Sequence, residues 1–252
     1  MTYDLPYKYA NTISNFLLLN STASYSSYDA TTMLYYLISK YSDAPVQLFR
    51  LPDGILGHTY KDECGTTVFI SSKITNTGRK WFTVAHELGH LLMHIDNPVR
   101  PLTDDSSIDY PETIEEKEAN WFAAHVLLPD SVIIKAIIDG FSVGRIMKTS
   151  KVSKEMIRYR ILDIFKNVYY IPTTDNSIIE ELIDNYFINS IATPAIHGLI
   201  PSLTKLPRKD IMFQRNSQTD YWLQFQKTNL EVWKSFLEDR NNKLFTPSQK
   251  LN

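Results

Sequence analysis

The sequence holds one cysteine, Cys64, so no disulfide can form within the chain. That suits a reducing compartment. No apolar run approaches the roughly 18 residues of a membrane span. The first residues, MTYDLPYKYA, lack a basic stretch followed by an apolar core, so they do not read as a secretory leader. Neither sign of charge dominates: 26 Lys and Arg against 28 Asp and Glu leave a formal net charge of -2. The molecule as a whole is no polyelectrolyte, and any nucleic-acid surface must be a local patch. There is no internal repeat and no low-complexity segment. These absences point to a soluble, cytoplasmic, globular protein. With 252 residues, 43% of them hydrophobic, the chain can bury a substantial core in one large domain or two modest ones.

What is present is organised around Trp81 to His94, WFTVAHELGHLLMH. His86, Glu87 and His90 form an H-E-x-x-H motif. Successive helical residues turn by about 100°, so His86 and His90 share a face, one turn apart. Two imidazoles so placed can hold one Zn²⁺. Glu87 stands beside them with no need to bind metal, and can take a proton from an attacking water. Trp81, Phe82, Val84, Ala85, Leu88, Leu91 and Leu92 are apolar on nearly all sides, which predicts a buried helix capped by Asn76 or Thr77. Two histidines and a glutamate inside a core need partners, because unpaired buried polar groups are costly.

Upstream, Asn11 to Leu19 and the stretch from Asp29 or Thr31 through Ile38 predict two helices, with Ser21 to Ser27 as a linker. Val46 to Leu51 and Ile55 to Tyr60 predict strands, with a turn at Pro52-Asp53-Gly54 and another over Lys61 to Gly65. Thr66 to Ser71 is the best strand in the chain. Together they read as a small antiparallel sheet leading into the motif helix. His58 reads as an ordinary surface or edge residue. Ile95 to Pro111 is a Pro/Asp/Ser-rich loop whose length suits the mouth of a site.

A second helix starts near Pro111 or Thr113 and runs to about Leu128, TIEEKEANWFAAHVLLP. Zinc held by two histidines needs a third protein ligand and one open position. Glu116 is the choice, because it shares a face with Asn120 and Ala123, and small Ala119 permits a close approach. Asn120 is then free to hydrogen-bond a ligand histidine. Thr113 and Glu116 also read as a capping box. Glu118, the rival ligand, points about 200° from Glu116 around the helix. His94 continues the stripe of His86 and His90, but three successive turns of a straight helix do not converge on one tetrahedral ion. His94 therefore supports the site from its edge or has no part in it. His125 reads as structural.

FTVAHELGHLLMH followed by EEKEANWFAAHVLLP resembles the ImmA/IrrE family of bacterial and phage-encoded zinc metallopeptidases, over roughly residues 45–165. The resemblance implies a gluzincin-like fold. It aligns His86 and His90 with the family's zinc histidines, Glu87 with its catalytic glutamate, and Glu116 with the glutamate four residues before its Asn or Asp. It also implies an intracellular peptidase that cleaves helix-turn-helix repressors.

The expected fold is α+β: a small antiparallel sheet on the H-E-x-x-H helix and a second ligand helix, followed by a helical segment. The metallopeptidase domain is expected over 1–140, a helix-turn-helix-like segment over 141–166, and a C-terminal extension of unknown role over 167–252. Ser142 to Lys148 and Ser153 to Ile164 are the two helices of that segment. Residues 141–166 carry seven Lys or Arg against two Asp or Glu, which permits DNA contact. Packing of these helices on the peptidase core, with weak nucleic-acid binding or none, is the favoured reading. In the extension, Ser177 to Asn189 and Tyr221 to Asp239 look helical, and the chain end from about Asn241 reads as loose. The expected function is a zinc endopeptidase with a protein substrate, a helix-turn-helix repressor, and with no membrane partner. The rivals are a DNA-binding regulator or a toxin–antitoxin component whose zinc site is structural or vestigial. Thr66 to Ser71 is expected to take an extended substrate by strand addition. Tyr60 and Tyr110 are the candidates for oxyanion donor, with no basis for choosing between them.

Overall fold

The computed structural model describes residues 4–20, 27–95, 102–103, 113–164 and 176–189. The chain divides into two units, Met1–Lys205 and Leu206–Asn252, and every described residue lies in the first. Most of the Ser21 to Ser27 linker and of the Ile95 to Pro111 loop, and all of the Tyr221 to Asp239 helix, lie outside the described residues.

Helix α1 (Asp4–Asn20) begins well before Asn11. Pro6 lies in its first turn, where backbone N–H groups have no helical partner and proline is tolerated. Tyr9, Ala10, Ile13 and Leu17 recur at helical spacing and are buried. Before α2 (Thr31–Tyr41), Asp29 Oδ1 accepts from Thr31 N at 2.9 Å and from Thr31 Oγ1 at 2.6 Å, turning the chain into the helix.

Strands β1 (Gln47–Phe49), β2 (Ile55–Asp62), β3 (Gly65–Ser71) and β4 (Leu102–Thr103) form one sheet in the order β1-β3-β2-β4. The architecture is α+β as expected, but the sheet is mixed rather than antiparallel. β2 and β3 form a hairpin with Asp62 opposite Gly65, and Asp62 Oδ1 accepts from Cys64 N at 2.8 Å. β1 instead pairs parallel with β3, Gln47 opposite Phe69. After β1 the chain turns back through Pro52-Asp53-Gly54 into β2, so its two neighbours in sequence lie on either side of β3. The reading of β3 as a substrate edge is therefore corrected. β2 occupies one side of β3; β1 occupies the other over Phe69 to Ser71, and Asp43 bonds Thr66 near the start of the strand. An interior strand has no free row of backbone groups to offer.

Helix α3 (Thr77–Met93) is the axis of the fold. Asn76 caps it, its side chain accepting from Arg79 N at 2.9 Å. Every residue from Thr83 to Leu91 is buried. β2 and β3 pack on this helix, as do α2 and α4 (Ile114–Leu127), and α1 packs on α4. Each fully buried side chain such as Val84 or Leu88 contributes about 1.5–3 kcal/mol. Gly89 sets the α3–α4 spacing. A Cβ there would lie 3.1 Å from Phe122 Cδ1 and 3.2 Å from Ala119 Cα.

Beyond α4 come α5 (Asp130–Ile138), α6 (Val143–Ser150), α7 (Lys154–Asp163) and α8 (Asn176–Asn189). Ser142 and Ser153 cap α6 and α7, close to the expected helix-turn-helix. α7 packs on α4 and α8. Among the described residues no single helix is long and apolar enough to cross a membrane.

Candidate active site

α3 and α4 bring His86, His90 and Glu116 together. Their ligating atoms lie within 4.8 Å of one another. His86 Nε2 is 2.9 Å from His90 Nε2. Glu116 Oε2 is 3.3 Å from His86 Nε2, and Glu116 Oε1 is 3.3 Å from His90 Nε2. Nitrogen and oxygen donors about 2.0–2.2 Å from a tetrahedral ion sit roughly 3.3–3.6 Å apart. The three side chains therefore outline one face of such a shell, slightly contracted between the histidines. Both histidines are fully buried, while Glu116 keeps 17% of its side chain exposed. Burial pushes the Glu116 carboxyl upward, but hydrogen bonds and charge from His86 and His90 outweigh it and hold the group at about 2. It is an anion at neutral pH, as a metal ligand must be.

Thr113 Oγ1 accepts from Glu116 N at 3.3 Å, so the helix cap is present. The Glu116 carboxylate nevertheless reaches the histidines rather than turning back to close a capping box. Asn120 Oδ1 lies 2.9 Å from His86 Nδ1. The amide oxygen accepts from Nδ1–H, which leaves the Nε2 lone pair facing Glu116 and His90.

Glu87 is fully buried. Thr59 Oγ1 donates to its Oε2 at 2.7 Å. Its Oε1 is buried with no hydrogen-bond partner among the described residues. Burial pushes the carboxyl up to about 7; His90 and the Thr59 hydrogen bond pull the other way. The orphaned oxygen is aimed at β2, where a Cβ on Gly57 would lie 2.6 Å from it and 2.7 Å from Thr83 Cγ2.

Gly57→Ala is therefore expected to shift the Glu87 carboxylate. It should lower the rate of any Glu87-dependent reaction while leaving metal content unchanged. Unaltered kinetics in a folded Gly57→Ala protein would show that the carboxylate has room to spare.

Thr59 and Gly57 were not singled out in the sequence. Strand alternation puts them on one face of β2, but nothing local shows which helix that face covers. His58, read as a surface or edge residue, is half-buried beside the site. Burial and the charge of His90 push it down, Glu116 pulls it up, and its Nδ1 is buried with no partner among the described residues. Tyr60 is 48% exposed, and Tyr110 lies outside the described residues. His125 is structural as expected: it stacks on Trp121, and its Nδ1 donates to Trp121 O at 2.8 Å.

The basic cluster at 141–166 is largely engaged within the fold. Lys151 pairs with Asp29 at 2.7 Å and Arg158 with Asp184 at 3.0 Å. Arg145 stacks on Phe141, and Lys154 lies over Phe187. Arg160 is fully buried with Asp130 and Asp163.

Residues 41–162 match the IrrE N-terminal-like domain of the M78 peptidases. The chain is also 28% identical over 134 residues to a protein of Bacillus phage phi105 described as an uncharacterized immunity region protein 2. That alignment covers 52% of this chain and 82% of the phage protein. The matched segment begins just before β1 and ends within α7, so it contains the sheet, the H-E-x-x-H helix and the helix that carries Glu116. Over residues 41–162 the chain is thus similar to the IrrE N-terminal-like family of peptidases.

Proposed function

We propose that this protein is a zinc-dependent endopeptidase of gluzincin-like arrangement that cleaves a helix-turn-helix repressor. His86, His90 and Glu116 hold the metal and Glu87 moves the proton. The carrying observation is the orphaned, buried Oε1 of Glu87 beside two histidines and a carboxylate that converge on one point. A structural metal site has no use for a fourth group beside its three ligands, here a buried carboxylate with one oxygen left unpaired among the described residues. When bound there, zinc supplies Lewis acidity, polarising a carbonyl and acidifying water.

The residues divide the remaining work. Thr59 holds one Glu87 oxygen, which leaves the other free to accept a proton from water and pass it to the leaving amine. A carboxyl poised near neutral pH does this well. Asn120 keeps His86 in the tautomer that offers Nε2. Beyond Gly57, the outer edge of β2 has no strand partner among the described residues, and it lies next to Glu87. In this reading that edge, rather than β3, takes the extended substrate. Residues 1–140 form the catalytic part, 141–166 a helix-turn-helix-like segment packed on it, and 167–252 an extension. The relative's description as an immunity-region protein is consistent with a repressor as substrate, and we propose a cytoplasmic setting. The engaged basic side chains support weak nucleic-acid binding or none.

Protein purified without chelator is expected to carry about one zinc per chain. His86→Ala and His90→Ala should lose it. Glu116→Ala should weaken it far more than Glu118→Ala, because only Glu116 reaches both histidines. Elemental analysis that finds no metal, with no uptake of added Zn²⁺, would sink the proposal.

A further inference from the structure

We propose that His94 and Glu118 are positioning residues for His90, linked as a hydrogen-bonded chain of fixed polarity that aims the His90 Nε2 lone pair at the metal. This deepens the zinc reading above and rests on it. His90 Nδ1 lies 3.2 Å from His94 Nδ1, and His94 Nε2 lies 2.9 Å from Glu118 Oε2. His90 is fully buried and His94 is 5% exposed, so the contact between them is shielded from water, while Glu118 keeps 22% of its side chain exposed.

The polarity follows from the carboxylate end. An ionised carboxylate only accepts hydrogen bonds. His94 Nε2 therefore carries a proton and donates it to Glu118. In a neutral imidazole the other nitrogen is then an acceptor, so His94 Nδ1 accepts. Its partner, His90 Nδ1, must be the donor. With its proton on Nδ1, His90 has a bare Nε2, and that atom faces His86 Nε2 and Glu116. The reverse order would set two acceptors against each other at the 2.9 Å contact. Glu118 thus selects the tautomer of His94, and His94 selects that of His90.

The arrangement completes a pattern on α4. Asn120 orients His86 directly, and Glu118 orients His90 through His94. The helix that contributes Glu116 also sets the ring direction of both histidines. The helical phase that separates Glu118 from Glu116 does not take it away from α3. It brings Glu118 to α3 one turn further on, at His94.

The test is zinc affinity by competition with a chelator, together with the histidine tautomers read by ¹⁵N-resolved NMR. His94→Leu is expected to weaken zinc binding about 10–100-fold without changing helix content. His94→Asn should recover most of that loss, since Asn Oδ1 can stand in for Nδ1 as the acceptor. In the zinc-loaded parent, His94 should carry its proton on Nε2; in the zinc-free protein, where no metal fixes the His90 tautomer, the parent should keep that preference and Glu118→Leu should lose it. The inference is overturned if His94→Leu binds zinc as tightly as the parent, or if His94 in the loaded parent is protonated on Nδ1. Should His94→Leu fail to fold, the parent's tautomer and His94→Asn decide the matter. A parent that takes up no zinc overturns the metal reading and this inference together. A parent that binds zinc beside indifferent variants overturns this inference alone.

Discussion

Glu87→Gln is expected to stop repressor cleavage while zinc content and melting temperature stay near those of the parent. Gln nearly keeps the shape of Glu and can still accept the Thr59 hydroxyl through its amide oxygen. None of His86, His90 and Glu116 is altered. What is lost is a proton acceptor at the position of Oε1, now filled by an NH₂ group that only donates. Loss of a general base typically costs about 10²–10⁴ in rate. Here the water also loses the carboxylate that orients it, which places the effect toward the upper end. The experiment co-expresses parent or variant with a candidate helix-turn-helix repressor and follows the repressor on a gel. The parent should cut the repressor, whereas the variant should bind it and leave it whole. If the repressor vanishes equally with both, Glu87 is not the base. If it survives with both while its activity is still blocked, the protein acts by binding, as a toxin–antitoxin component or regulator would. The same pair of proteins therefore separates enzyme from binding module.

How much of this site could be read from the chain depends on where each contact lives. His86, Glu87 and His90 sit in one helix, so spacing alone places them. Glu116 and Asn120 lie on a second helix, and the phase between them is enough to choose Glu116 over Glu118 as the residue that reaches His86 and His90. The same phase argument did not show that Glu118 reaches His94, because that contact depends on how α3 and α4 cross. Thr59 and Gly57 come from a strand nearly thirty residues before the motif. Their role exists only once β2 is laid on α3, and side-chain alternation cannot name the neighbouring layer. The sheet shows the same limit. Hairpin pairing of β2 and β3 is local and was legible. The parallel pairing of three-residue β1 is not local, and it makes β3 an interior strand. The basic count at 141–166 was correct as a count, but its meaning lay in Asp29, Asp130 and Asp184, all outside the window.

Among those basic residues Arg160 should carry the largest stability effect. Arg160→Met is expected to cost about 3–5 kcal/mol. The guanidinium is fully buried. Its Nε donates to Leu128 O at 3.1 Å, one terminal nitrogen donates to Asp163 Oδ2 at 2.5 Å, and the other pairs with Asp130. One side chain on α7 thus holds the end of α4 and the start of α5. Removing it strands two carboxylates that are 7–8% exposed and frees a buried carbonyl. His125, 3.3 Å from Asp163, cannot fully replace the cation, since burial pushes its pKa below the ordinary histidine value. A domain of this size is stable by about 5–15 kcal/mol, so the loss is a large fraction of the whole. Replacing all three partners at once, Arg160→Met with Asp130→Asn and Asp163→Asn, should restore part of it, because no uncompensated charge then remains buried. Urea denaturation of zinc-loaded parent, single and triple variants reads this directly. A single variant within about 1 kcal/mol of the parent would mean that water reaches the carboxylates and the network is not what joins α7 to α4. The expected loss also bears on the site, since α4 carries Glu116, Glu118 and Asn120. Loosening its far end should weaken zinc binding without touching any of the three.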